Sequence, residues 1–136
     1  FFRKCASLIS QTGLMALQAI VIADRYFDQA KNSVDFIKKR IFPGGCLPSV
    51  SAICYGNSRF TDLQVINLED MTNHYPVTLR KWRENFLLNY ERIRSMGYPD
   101  SFIRMWEYYL CLCEGAFTER HIGVVQVILA KPAWRI

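Results

Sequence analysis

The sequence predicts an α/β fold, and three observations carry that expectation. Three stretches, the apolar runs Leu14 to Ile22 and Ile122 to Ala130 and the more mixed Thr61 to Asp70, have the length and the β-branched content of strands. Between them, apolar residues recur every three or four positions, the mark of helices that hide one face. Proline, glycine and aspartate stand at the joints, where chains turn and helices begin. Strands alternating with face-hiding helices assemble into a sheet with helices packed on it.

Taken in order, Phe1 to Ser10 reads as the end of a helix and Gln11 to Gly13 as a turn. LMALQAIVI, Leu14 to Ile22, is apolar almost throughout, which predicts a strand covered on both faces. Gln18 interrupts it. An amide on a buried strand needs partners, either neighbouring backbone or a ligand at the carboxyl end of the strand, where open α/β sheets collect ligands. Asp24 to Arg40 is polar and charged and reads as one helix or two short ones.

The next stretch, Ile41 to Ser49, reads IFPGGCLPS. Two prolines and two adjacent glycines bar it from a helix or a strand interior, yet Ile41, Phe42, Cys46 and Leu47 make it apolar for a loop. It either plugs against its own core or lines a ligand. Pro48 opens a short helix ending near Gly56. Thr61 to Asp70 then places Leu63 and Val65 on one face and Ile66 and Leu68 on the other, which predicts an interior strand.

From Tyr75 to Met96, Leu79, Trp82, Phe86, Tyr90 and Ile93 form one helical stripe ended by Gly97. Arg80, Lys81, Arg83, Arg92 and Arg94 lie largely off it, as a solvated basic face or a contact for lipid headgroups. Asp100 is a candidate cap for a second long helix to about Arg120. Its stripe of Phe102, Trp106, Tyr109, Cys113 and Ala116, with Met105, Tyr108 and Leu112 opposite, predicts burial on most of its circumference. Ile122 to Ala130 is the last strand, stopped by Lys131 and Pro132.

With 136 residues, 51% of them hydrophobic, the chain reads as one domain or a piece of one. It opens on Phe1 and enters an apolar run directly, which reads as a chain whose start lies upstream. No stretch reaches the roughly 18 apolar residues of a membrane span, so the expectation is a protein that is soluble or meets membranes from outside. A formal charge of +5, from 17 basic and 12 acidic residues, favours anionic partners. Charge alone does not choose between nucleic acid and an anionic membrane surface, but no nucleic-acid reading motif accompanies it, so nucleic acid is not expected. Five cysteines, mostly in apolar runs, read as reduced, buried thiols of a cytoplasmic protein. Cys111 and Cys113 diverge on a helix and do not chelate one metal.

Three strings, SVDFIKKRIFPGGCLPS, HYPVTLRKWRENF and FIRMWEYYLCLCEGAFTERHIGVVQVILAKP, resemble in order and separation the C-terminal part of the cyclopropane-fatty-acyl-phospholipid synthases. The mycolic acid cyclopropane synthases belong to the same wider group. The resemblance implies the C-terminal half of a class I, Rossmann-like, S-adenosylmethionine-dependent methyltransferase fold, about three strands with flanking helices. Its last strand would run antiparallel between its two predecessors. It also implies that residues 1–136 are the C-terminal portion of one catalytic domain. The glycine-rich motif for S-adenosylmethionine, with a glutamate and a cysteine of the active site, would lie upstream, so no cofactor-binding residue is assigned here.

The reaction implied is methyl transfer to the cis double bond of a phospholipid acyl chain, followed by proton loss to a bound bicarbonate ion and ring closure. By resemblance, Tyr75 and the backbone at Ile20 contact that bicarbonate, and Gln18 stands where many relatives have histidine. A glutamine amide donates to an anion but carries no proton. Cys113 matches a cysteine near the substrate, and as a residue reads equally as a small buried hydrophobe. Phe42, Cys46, Trp106 and Tyr109 are candidate contacts for the acyl chain, the last two alternatively plain core aromatics.

The leading expectation is therefore a cyclopropane-synthase-type enzyme, cytoplasmic and peripheral to the membrane, with this chain inactive by itself. The alternatives are a C-methyltransferase acting on another lipid and a non-catalytic lobe that binds lipid or a partner. An open apolar strand edge makes a homodimer a further expectation.

Overall fold

The computed structural model describes residues 1–135. The elements run α1 (Phe2–Leu8), β1 (Leu14–Ile22), α2 (Asp24–Lys31), α3 (Phe36–Arg40), α4 (Val50–Phe60), β2 (Gln64–Asp70), a 3-10 turn (Thr72–His74), α5 (Tyr75–Leu88), α6 (Tyr90–Ser95), α7 (Asp100–Thr118) and β3 (Ile122–Ala130). The chain divides into two compact units, Phe1–Met71 with the segment from Gly123 on, and Thr72–Ile122.

The first unit is α/β. Its sheet has the order β1-β3-β2, so the last strand in sequence is central. β2 runs antiparallel to β3, from Gln64 opposite Ala130 to Asp70 opposite Val125. Lys131 N–H donates to the Gly13 carbonyl, and Gln126 meets Gln18 further along, so β1 is antiparallel to β3 as well. Val125, Val127 and Leu129 of β3 and Val21 of β1 form one core with Ala6 of α1, Ile53 of α4 and Leu63. Met15, Leu17 and Ala19 pack against it.

Two strand expectations need correction. β1 is not covered on both faces: Leu14, Ala16, Gln18 and Ile20 are exposed while the alternate residues turn to the core. β2 is an edge strand with every residue exposed, not an interior one. A bulge at Ile66 accounts for part of this, since Val65 faces Leu129 and Asn67 faces Ile128, which reverses the faces of the residues that follow.

α4 runs past Gly56 to Phe60, because its end is fixed further on. The buried Asn57 amide donates to the Leu63 carbonyl at 2.7 Å, and the Thr61 hydroxyl donates to the Asn57 carbonyl at 2.9 Å. Asp24 to Arg40 forms two short helices, α3 being capped by the Asp35 carboxylate on the Lys38 N–H.

The second unit is helical, with α5 packed on α7. The expected single helix from Tyr75 to Met96 is broken at Asn89, whose side chain donates to the Asn85 carbonyl and ends α5. Gly97, at φ 91°, follows the end of α6. Pro99 rather than Asp100 holds the cap position of α7, and the Asp100 carboxylate takes the Tyr90 hydroxyl and the Arg94 guanidinium instead. α7 buries one stripe, Ile103, Leu110, Cys113 and Phe117, and exposes Tyr108 and Leu112, so it is not buried around most of its circumference. It closes with Arg120 in the left-handed region at φ 52°, where the Arg120 and His121 N–H groups satisfy the Phe117 and Ala116 carbonyls. Among the described residues, no helix is long and apolar enough to cross a membrane.

Candidate functional site

In the first unit, Gln18 and Ile20 share the exposed face of β1, two residues apart. The Gln18 Oε1 accepts a hydrogen bond from Gln126 Nε2 of β3 at 2.9 Å. That bond fixes which end of the amide faces outward, and among the described residues the Gln18 –NH₂ donates to nothing. Sequence reasoning found Gln18 but missed Gln126, although the signal was there: Gln126 is the single polar residue inside VVQVILA.

The apolar loop leads to the carboxyl end of the same strand. The Ile22 N–H donates to the Pro48 carbonyl at 2.9 Å, and Ser49, 2% exposed, caps α4 on the Ala52 N–H. Asp24 accepts from the Ser51 N–H at 3.1 Å, and hydrogen bonds from Ser49 and Ser51 hold its carboxyl below the usual range. Phe42 and Cys46 lie on the outward part of this loop, both exposed. The five thiols are free but not uniformly buried: Cys113 is buried, Cys46 is exposed, and Cys5, Cys54 and Cys111 lie between. Cys46 is exposed because its loop stands off the core that the strand and helix residues fill.

In the second unit, Trp106, Tyr109, Cys113 and Phe117 follow one another along α7 at helical spacing. The Trp106 and Tyr109 rings meet edge to face at 5.4 Å. The Tyr109 hydroxyl donates to the Cys113 sulfur, and its pKa is pushed up to about 12, first by burial and then by the thiol beside it. Burial raises the Cys113 thiol too, against the smaller lowering by Tyr109. Both groups are therefore neutral near pH 7. Tyr75, the first residue of α5, lays its ring on Phe117 at 4.7 Å and is half-buried. Among the described residues its hydroxyl makes no hydrogen bond. Phe117 is a wall residue that the stripe reading missed, one turn beyond Cys113.

The basic face of α5 is partly committed. Arg80 and Arg83 converge on Glu114 of α7, at 2.9 and 3.5 Å, and Arg83 also reaches the Cys111 sulfur. Arg94 pairs with Asp100, which leaves Lys81 and Arg92 with no ion pair among the described residues.

A family model for mycolic acid cyclopropane synthetase matches residues 1–127. The chain belongs to that family. The mycolic acid cyclopropane synthetase family chain is 33% identical over 131 residues to tuberculostearic acid methyltransferase UfaA1 of Mycobacterium tuberculosis, covering 96% of this chain and 31% of the relative. It is 38% identical over 99 residues to the cyclopropane-fatty-acyl-phospholipid synthase of Escherichia coli, covering 71% of this chain and 24% of the relative.

Among solved structures, the cyclopropane synthase MmaA2 from Mycobacterium tuberculosis superimposes with a TM-score of 0.84 at 21% identity, over 96% of this chain and 48% of that one. The mycolic acid cyclopropane synthase CmaA1, complexed with SAH and CTAB, gives a TM-score of 0.83 at 22% identity over the same shares. The shared fold is that of the S-adenosylmethionine-dependent methyltransferases, and this family chain spans about half of those two solved chains. The central antiparallel β3 agrees with the strand order the resemblance implied. Gly44 and Gly45 lie in an exposed turn between two helices, not at a strand-to-helix junction of the kind that cradles a nucleotide.

Proposed function

We propose that the intact protein is a cyclopropane-fatty-acyl-phospholipid synthase-like enzyme, transferring a methyl group to the cis double bond of an unsaturated phospholipid acyl chain with ring closure. The observation that carries this reading is the family match over residues 1–127. In it, this chain supplies lipid-facing and anion-facing groups and is inactive alone. S-adenosylmethionine, when bound, supplies the electrophilic methyl group.

The roles follow from the chemistry of the residues. Trp106 and Tyr109, with Phe117, offer aromatic faces that exclude water from the acyl chain and attract positive charge developing on it. Phe42 and Cys46 are assigned to the acyl chain from the loop. A Cys113 thiol kept protonated by burial is a poor nucleophile and escapes alkylation beside the substrate. In the sheet unit Gln18 offers an unengaged amide –NH₂ and is assigned, with the backbone at Ile20, to a bicarbonate anion; in the helical unit Tyr75 offers an unengaged hydroxyl, the same donor chemistry. Gln18 holds but does not protonate, so the anion itself takes the proton. The enzyme acts from the cytoplasm, peripheral to an anionic membrane surface, and a homodimer remains part of the proposal through the open strand edges.

Expression of the intact gene in a host rich in unsaturated phospholipid tests this. Ring closure gives lipids with the strongly upfield methylene proton signal of a cyclopropane. A second reading is a C-methyltransferase on another lipid, favoured by the similarity to tuberculostearic acid methyltransferase over 96% of the chain. It gives vinylic or branched-methyl signals instead, and their appearance without the upfield signal overturns the first reading.

A further inference from the structure

Four aromatic side chains of the second unit stand in one unbroken column. Tyr98 stacks on Phe102 at 4.5 Å with 24° between the ring planes, Phe102 meets Trp106 at 6.0 Å, and Trp106 meets Tyr109 at 5.4 Å. The Tyr109 hydroxyl then reaches the Cys113 sulfur. α7 rises about 1.5 Å per residue, so Phe102 and Cys113 stand about 16 Å apart along it, roughly the depth of one leaflet of bilayer hydrocarbon.

The column carries no charge and flanks the stripe that α7 buries. Ile103, Leu110 and Phe117 mark that stripe. At about 3.6 residues per turn, Phe102, Trp106 and Tyr109 stand roughly 40 to 100° to one side of Leu110, while Glu107, Cys111 and Glu114 stand as far to the other. The second flank is where Arg80 and Arg83 of α5 arrive. The first presents half-buried rings alone, a surface that suits hydrocarbon.

Its outer end is held in place. Gly97 takes φ 91°, and Pro99 after Tyr98 confines that residue to extended backbone. The Phe102 N–H donates to the Pro99 carbonyl at 2.9 Å, and Asp100 between them takes the Tyr90 hydroxyl and the Arg94 guanidinium. Arg94 is thereby engaged, so this end offers an acyl chain rings rather than a headgroup partner.

We propose that Tyr98 and Phe102 are the far stop of a slot along α7 that receives the methyl end of the acyl chain, and that these two rings set how much chain the enzyme accepts beyond the double bond. The inference rests on the proposed function, which puts Cys113 beside the substrate. It adds the direction in which the chain runs from there and the residues that limit it.

The test gives the intact gene product S-adenosylmethionine and phosphatidylglycerol vesicles that carry hexadecenoyl, octadecenoyl and eicosenoyl chains together, the cis bond at one fixed distance from the carboxyl. Product ratios from one mixture cancel differences in the amount of folded enzyme. Phe102→Ala and Tyr98→Ala are each expected to raise the ratio of longest to shortest product about fivefold or more, and Phe102→Trp to lower it, since one methylene of room in an apolar slot carries about tenfold in discrimination. A second mixture, varied only between the carboxyl and the bond, is expected to keep its ratios within about twofold. Unchanged ratios in the first mixture, or shifts as large in the second, overturn the proposal.

The position of the chain is read without turnover from Trp106. Acyl chains brominated next to the terminal methyl are expected to quench its emission more than chains brominated next to the carboxyl, and Trp106→Phe to abolish the difference. Equal quenching by the two, or a difference that survives Trp106→Phe, overturns the slot even where lipid is methylated. End-selective quenching in a protein that methylates no lipid removes the proposed reaction and leaves the slot standing.

Discussion

The Tyr75 hydroxyl and the Gln18 amide nitrogen are two polar groups that the fold leaves unengaged, each on a side chain otherwise held in place. Phe117 holds the tyrosine ring and Gln126 holds the glutamine oxygen. An oriented donor with no partner costs nothing to remove from the folded state and much to remove from a bound anion. Tyr75→Phe in the intact protein is thus expected to leave unfolding stability within about 0.5 kcal/mol and to lower lipid methylation about tenfold or more. Urea denaturation and product turnover check the two halves, and a stability loss matching the activity loss would make Tyr75 a packing residue. Gln18 was visible in the sequence as a polar residue inside an apolar run, and Tyr75 only through the family resemblance. Their supports were not, because Gln126 lies 108 positions from Gln18 and only strand pairing brings them together.

At the scale of elements, one carboxylate adds to the Ile22–Pro48 hydrogen bond in joining β1, α2 and α4. Asp24 binds the start of α4 through Ser49 and Ser51, and these hydrogen bonds hold its pKa down. A depressed folded pKa means that the stabilisation is present above the unfolded value, about 3.9, and is lost as pH falls through the folded one. Asp24→Asn is therefore expected to lower the melting temperature by about 2 °C at neutral pH, little because the group is exposed, and to converge with the unsubstituted protein as pH falls through the depressed folded pKa. Thermal melts across pH check this, and a difference that persists in acid would assign it to something other than ionisation. Helix ends were the least legible elements. Gly56 signalled an end and Asn89 did not, but Asn57 and Thr61 carry α4 onward while the Asn89 amide stops α5. Competing side-chain bonds of this kind leave no periodic trace.

For the whole molecule, the most deeply buried strand is the one that comes last in sequence. Leu129 of β3 is fully buried, and Val65, its partner across the ladder, is 43% exposed. Leu129→Ala is expected to cost about 3 kcal/mol, whereas Val65→Ala on the same rung should cost under about 1 kcal/mol. Comparable losses in chemical denaturation would show that β2 is covered in solution.

Composition and periodicity by themselves determined that strands alternate with helices, where each strand lies, and that Ile41 to Ser49 is an apolar turn, because hydrophobic spacing is a local property of the chain. The family resemblance had implied that β3 sits in the middle; only the tertiary structure decided that β1 and β2 expose a face and that Gln18 is aimed by Gln126. Those outcomes depend on which strand pairs with which, and pairing is a contest among distant segments that no local pattern records.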